Sequence, residues 1–275
     1  MSEQKIDILV SFNKNYIKPF QVMLKSLVIN NPKEVFRIWL LYSQIPQEDL
    51  QRLIEYCSLQ RVLLTPLQME RAVFENAPVS KQYPQEMYYR LLSPQILPEQ
   101  VEKVLYLDVD ILTINPLRSL WEIDLKDHAF AAASHSSIFE AIDGVNKVRL
   151  GQEHDYFNTG VILMDLVKAR EIVRPDAIYD YIREHSAELL LPDQDVFNSL
   201  YGEHTLQVDD RVWNYDARYF TAYRVKSGGD CNMDWVMRNT VFLHFCGRKK
   251  PWKPAYSGYF SALYKHYMNL AFRDS

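Results

Sequence analysis

The sequence predicts an α/β fold built on a mostly parallel central sheet, and three observations carry that expectation. Short apolar runs alternate with amphipathic stretches of helical spacing, in the order strand, helix, strand, helix, strand; connections of this kind return each strand parallel to the last. The apolar runs are compact enough to be buried strands. The chain, 275 residues with 48% hydrophobic and 24% charged residues, has the composition of a globular protein and the length to bury a large core.

The first run, Ile6-Asp7-Ile8-Leu9-Val10-Ser11-Phe12, reads as a buried strand. Phe20, Met23, Leu24 and Leu27 then follow helical spacing, with Pro19 near the first turn, where a missing N–H costs least. A second strand is expected over 35–42. Pro46 opens a helix whose Leu50, Leu53, Ile54 and Cys57 share a face, and 61–65 is a third strand. Further strands are expected over 103–113, 129–134, 156–166 and 241–245, with a helix running to about residue 187. The loop at Lys226-Ser227-Gly228-Gly229-Asp230 reads as a connection within one domain, whose C-terminal half is the more irregular.

Composition also excludes. A formal net charge of -4 offers no electrostatic case for nucleic acid. No apolar run approaches the roughly 20 residues that cross a bilayer, and the first residues lack the apolar core of a signal peptide. Three scattered cysteines (Cys57, Cys231, Cys246) without a CxxC fit a reduced, cytoplasmic setting. With only 8 glycines there is no GxGxxG and no GxxxxGK[ST]. Any phosphate must therefore be held by a metal or by cationic side chains. The 13% aromatic content fits a filled core as well as a sugar groove.

Two clusters bear chemistry. Asp108-Val109-Asp110 follows the apolar run Val104–Leu107. In an extended chain, residues two apart face the same side, about 6.6 Å apart, so both carboxylates can converge on one cation beyond the strand's carboxyl end, where α/β sheets gather ligands. Oxygen ligands suit Mg²⁺ or Mn²⁺. A bare DxD is also what a solvated turn looks like; its setting between Leu107 and Ile111-Leu112 demands a compensating partner. The second cluster is His244, at the end of an apolar run, followed by Gly247, Arg248, Lys249, Lys250 and Lys253. Alone, such a histidine reads as structural and such lysines as wet surface. Together they offer an imidazole ligand, which favours Mn²⁺, and an ammonium for a phosphate.

The DVD pair, YFNTG, DQD and HFCGRKKPW, in this order and at these separations over about residues 6–255, resemble family 8 of the retaining glycosyltransferases, which includes bacterial lipopolysaccharide galactosyl- and glucosyltransferases and glycogenin. The resemblance implies a single Rossmann-like nucleotide-diphospho-sugar transferase domain of GT-A type over 1–275. Within it, about 1–115 would form the nucleotide-binding half, about 116–255 the donor-sugar and acceptor half, and about 256–275 a helical tail. It implies transfer of a hexose, glucose or galactose, from a UDP-sugar to a glycan or lipid-linked glycan acceptor.

Carried over residue by residue, the resemblance assigns the metal to Asp108, Asp110 and His244, with Val109 between them in the donor site. Lys250 would meet the diphosphate, and Gly247 would let the backbone approach it. Ser11, Asn13, Asn15 and Tyr16 would hold base and ribose. Arg90 of Tyr88-Tyr89-Arg90-Leu91 would reach the donor, and Asn158, Asp193 and Gln194 would line the donor sugar. Gln194, Asp193 and Lys250 are the expected catalytic set. Asn13 stands where the family often has an aspartate; a flippable amide implies weaker preference for uracil over cytosine. Two other readings stay open: a different metal enzyme (a nucleotidyltransferase or sugar-phosphate hydrolase) and a non-catalytic sugar-nucleotide-binding protein. The aromatic, basic tail is expected to dock on the core; contact with the inner face of a membrane is the alternative.

Overall fold

The computed structural model describes residues 5–70, 74, 85–134 and 147–273. Its main sheet has seven strands: β1 (Ile6–Ser11), β2 (Phe36–Tyr42), β3 (Leu63–Gln68), β4 (Lys103–Leu107), β6 (Phe130–Ser134), β7 (Phe157–Asp165) and β8 (Thr205–Val208), in the order β3-β2-β1-β4-β7-β6-β8. β3, β2, β1 and β4 are mutually parallel, β7 runs against both β4 and β6, and β8 is parallel to β6. A second sheet of three short strands, β5 (Ile111–Thr113), β10 (Phe242–His244) and β9 (Tyr215–Asp216), stands beside it in the order β5-β10-β9.

Alternation explains why the central strands are apolar throughout. Ile6, Ile8 and Val10 of β1, with Leu105 and Leu107 of β4, enter one core with the helices Ile17–Asn30 and Gln47–Leu59. Leu9 of β1, with Val104 and Tyr106 of β4, enters a second core with the helices Tyr89–Ile96, Leu166–Ile172, Pro175–His185 and Pro192–Tyr201. A strand covered on both faces has no polar side to show. A third core joins the small sheet to the tail helix Ser261–Phe272, which buries Tyr264, Tyr267 and Ala271. Asn30 donates to the Tyr267 hydroxyl across this junction at 2.8 Å. The tail docks, and among the described residues no helix is long and apolar enough to cross a membrane.

Three expectations need correction. The stretch 103–113 is not one strand: β4 stops at Leu107, and β5 begins at Ile111 in the other sheet. The acidic pair occupies the turn between them, where the chain leaves one sheet for the other. The helix expected to run on to about 187 is two, because Pro175 lacks an N–H and holds Arg174 extended (φ -113°, ψ 112°). The third strand starts at Leu63 rather than 61, since Arg61 turns the chain at φ 60°.

Candidate active site

Asp108 and Asp110 sit beyond the carboxyl end of β4, fixed from two sides. The Asp108 N–H donates to the Gly160 carbonyl of β7 at 2.8 Å, and the Phe245 N–H donates to the Asp110 carbonyl at 3.0 Å. β10 pairs antiparallel with β5, so that His244 lies opposite Ile111, next in sequence to Asp110. That register brings the imidazole to the carboxylates. His244 Nε2 is 3.2 Å from Asp110 Oδ1 and 3.7 Å from Asp108 Oδ2, and one donor atom from each of the three residues lies within 4.8 Å of the others.

The far side of the imidazole is also specified. His244 Nδ1 pairs with Asn214 Oδ1 at 2.8 Å; an amide oxygen only accepts, so Nδ1 carries a proton, and once the ring is neutral Nε2 is the nitrogen that offers its lone pair to a ligand. Asn214 Nδ2 donates to Asn158 Oδ1 at 2.8 Å, and Asn158 Nδ2 donates to Gln194 Oε1 at 3.2 Å. Gly160 makes the close approach of β7 possible: a Cβ there would overlap His244 Cε1 and fall 2.9 Å from Nδ1.

Two cations serve the outer carboxylate oxygens. Lys250 Nζ donates to Asp110 Oδ2, and to the Phe245 carbonyl at 3.1 Å. Arg90 is buried, its guanidinium 4.2 Å from the Tyr106 ring centroid. It donates to Asp108 Oδ1 at 2.9 Å and to the Thr159 carbonyl at 2.7 Å, and it lies 3.4 Å from Asp193 Oδ2. The Tyr106 hydroxyl donates to the same Asp108 oxygen at 2.7 Å. Arg90 thus sits behind the acidic pair as its counter-charge.

These neighbours set protonation. Burial alone would raise the Asp110 carboxyl, but Lys250 and His244 outweigh it and hold the group well below the usual carboxylate range. For His244, burial works against the imidazolium, while Cys246 and Asp110 beside it raise the group above the ordinary histidine value. Asp193 moves the other way: burial pushes it up, Arg90 offsets only part of this, and Asp108 adds to the rise. Two carboxylates and an imidazole with Nε2 turned inward, the outer carboxylate oxygens neutralised by cations, fit a divalent ion.

Asp193 and Gln194 lie in the first turn of the helix Pro192–Tyr201, with Asp193 Oδ2 accepting from Thr159 Oγ1 at 3.0 Å. Gly247 takes φ 82°, a left-handed backbone conformation that suits glycine, and a Cβ there would meet Arg218. Val109 is buried in the first core. Tyr16 meets Trp252 edge to face at 6.0 Å between ring centroids, close enough to Lys250, Asp110 and Asp108 to feel their charges.

Asn13 and Asn15 lie apart from the triad, on a cleft of about 910 Å³ past the ends of β1, β2 and β3. Ser11 Oγ donates to the Glu86 carbonyl. Asn13 caps the short helix Lys14–Tyr16: its Oδ1 accepts from the Asn15 N–H at 3.1 Å. The amide is therefore oriented, with Nδ2 toward Glu86. Sequence reasoning missed Glu86, Tyr106, Thr159, Gly160 and Asn214. Thr159 and Gly160 stand inside the YFNTG segment and could have been found there. Asn214, 30 residues from its histidine, carries no local signal.

Comparison with known proteins identifies the family and the fold. The chain is 25% identical over 261 residues to general stress protein A of Bacillus subtilis (strain 168), covering 93% of this chain and 90% of that one. It is 25% identical over 276 residues to a lipopolysaccharide 1,2-glucosyltransferase of Escherichia coli, covering 94% and 78%. The crystal structure of galactosyltransferase LgtC with donor and acceptor sugar analogues superposes with a TM-score of 0.82 at 21% identity over 96% of each chain, which identifies the fold as GT-A. The model of Glycosyl transferase family 8 matches residues 7–255, almost the whole chain, and the chain belongs to that family.

Proposed function

We propose that the protein is a retaining hexosyltransferase that moves glucose or galactose from a UDP-sugar to a hydroxyl of a glycan acceptor, with Mn²⁺ held by Asp108, Asp110 and His244. The observation that carries this reading is the convergence of two carboxylates and His244 Nε2, the ring oriented by Asn214, beside the half-buried ammonium of Lys250. Named relatives support the hexose: a lipopolysaccharide 1,2-glucosyltransferase of Escherichia coli and a lipopolysaccharide 1,3-galactosyltransferase of Salmonella typhimurium. When bound, the ion supplies Lewis-acid stabilisation of the departing diphosphate.

The residues do the rest. Lys250 passes from Asp110 to the diphosphate as negative charge builds there, and Gly247 brings the backbone near. Ser11, Asn13, Asn15 and Tyr16 hold the nucleoside, with Val109 packed beneath the acidic turn. Arg90 orients Asp108 and pairs with Asp193. Asn158, Asp193 and Gln194 face the donor sugar.

Gln194 is a neutral amide, and its oxygen already accepts from Asn158. This argues against a covalent intermediate on it. Attack from the same face as the leaving group, with a donor phosphate oxygen taking the acceptor proton and Asp193 orienting the sugar hydroxyls, uses every group as it stands. Incubation with UDP-glucose or UDP-galactose, with Mn²⁺ and with a chelator, tests the reading. UDP release that needs the metal, and a product of retained anomeric configuration by NMR, are expected. Release of free sugar 1-phosphate, or binding without turnover across an acceptor panel, would favour the hydrolase or binding-protein readings.

A further inference from the structure

The cleft past β1, β2 and β3 has an acid at its wall that none of the roles above employs. Glu86 is only 6% exposed, yet it lines the cleft together with Asn13, Asn15, Ser43 and Gln68. Its Oε1 accepts from Ser43 Oγ at 2.6 Å, and its Oε2 lies 3.5 Å from Asn13 Nδ2, a weak contact. Among the described residues no lysine or arginine pairs with it. A carboxylate has about four acceptor positions and no donor, so this one retains acceptor capacity toward the cleft. A buried acid without a cation needs N–H or O–H donors.

The position is built rather than incidental. Ser11, at the end of β1, clamps the Glu86 backbone carbonyl. The cap on Asn15 turns the Asn13 amide so that its NH₂ lies beside the carboxylate. Four residues along, Arg90 grips Asp108, so one short segment links the wall of the cleft to the metal-binding triad. Tyr16, one residue past Asn15, spans the same interval from the other side.

We infer that Glu86 is the residue that selects the nucleobase: its Oε2 accepts the ring N–H of uracil while Asn13 Nδ2 donates to an adjoining carbonyl. This rests on the UDP-sugar reading above and deepens it. Uracil offers a donor, N3–H, flanked by two carbonyl acceptors, which complements a carboxylate next to an amide NH₂. Cytosine in the same seat turns an unprotonated N3 toward the carboxylate, lone pair against lone pair. The uracil preference that Asn13 alone would leave weak is thereby supplied by an acid from another part of the chain. Asn13→Asp would set a second carboxylate about 3.5 Å from the first, and so would weaken UDP binding rather than sharpen it.

Calorimetric titration of UDP, CDP and inorganic pyrophosphate, each with Mn²⁺, into wild type and Glu86→Gln tests this. Wild type is expected to bind UDP more tightly than CDP by on the order of 100-fold. Glu86→Gln keeps the shape and removes the charge; it should weaken UDP by roughly 10- to 100-fold, leave pyrophosphate unchanged, and collapse the UDP-to-CDP ratio. An unchanged ratio, equal weakening of UDP, CDP and pyrophosphate, or a wild type indifferent to the base would overturn the role of Glu86 while leaving the UDP-sugar reading intact. Failure of wild type to bind UDP or pyrophosphate at all would instead sink the parent reading, and this inference with it.

Discussion

An imidazole set between two carboxylates can turn either nitrogen to a ligand, and at His244 the choice falls to Asn214, buried and itself held by Asn158. Removing such an outer partner costs typically 10- to 100-fold in metal affinity. Asn214→Ala should therefore weaken Mn²⁺ binding by about that factor, read by titrating the ion in the presence of UDP, and should lower Tm by a few degrees because the His244 Nδ1–H loses its buried acceptor. Unchanged affinity would mean that the ring is oriented by the carboxylates alone. The same histidine makes binding proton-linked. Its pKa is raised above the ordinary value by Cys246 and Asp110, against burial, so the metal-free ring holds its proton more tightly than a free imidazole, and a cation entering the triad must expel that proton. The sign follows: affinity rises with pH, by roughly tenfold per unit until the histidine has titrated. Mn²⁺ affinity flat between about pH 6 and 8 would contradict the elevated pKa.

The turn between β4 and β5 is the element on which the site depends, and it was half legible. Apolar residues on both sides of Asp108-Val109-Asp110 marked a pair of acids needing partners, and the partners are there in Arg90, Tyr106, His244 and Lys250. The same apolar flanks disguised the break in the strand, because β5 is as buried as β4 and only its sheet differs. The register of β10 on β5 depends on tertiary pairing, as does the approach of β7, and neither has a periodic signature. Gly160 exposes that approach to test. Gly160→Ala would drive a methyl into the His244 ring, so β7 or the imidazole must shift by about 1 Å, the scale of misplacement that lowers turnover. Turnover should fall on the order of 100-fold, since small misplacements cost that much, while thermal unfolding changes by only a few degrees. Wild-type turnover would mean that the site tolerates a displaced histidine.

At the scale of the whole molecule, three cores hold two sheets in a fixed relation. The sequence foretold the parallel half, where local strand–helix spacing dictates topology, but not the small sheet, whose strands are two or three residues long and come from distant segments. Its stability rests on the tail. Tyr264 is almost wholly buried, with its ring edge to face with Phe245 at 5.3 Å and near Trp252 at 6.0 Å. Among the described residues its hydroxyl has no hydrogen-bond partner. Tyr264→Ala should destabilise by about 3–5 kcal/mol, and Tyr264→Phe should be neutral or slightly stabilising, because it removes an unsatisfied buried group. Denaturant unfolding of both variants checks this. A loss in the Phe variant as large as in the Ala variant would show that the hydroxyl, not the ring, anchors the tail.

The dependence of UDP release on Mn²⁺ concentration, in wild type and in Asp110→Asn, bears most directly on the metal triad as the catalytic centre. Asparagine keeps the size of the side chain but removes the charge that faces both His244 Nε2 and Lys250 Nζ. Wild type should release UDP from UDP-glucose or UDP-galactose only with the ion present, and Asp110→Asn should remain inactive at saturating Mn²⁺ while still folded by circular dichroism. Wild-type rates in the variant, or release undiminished by a chelator, would contradict a centre built on Asp108, Asp110 and His244.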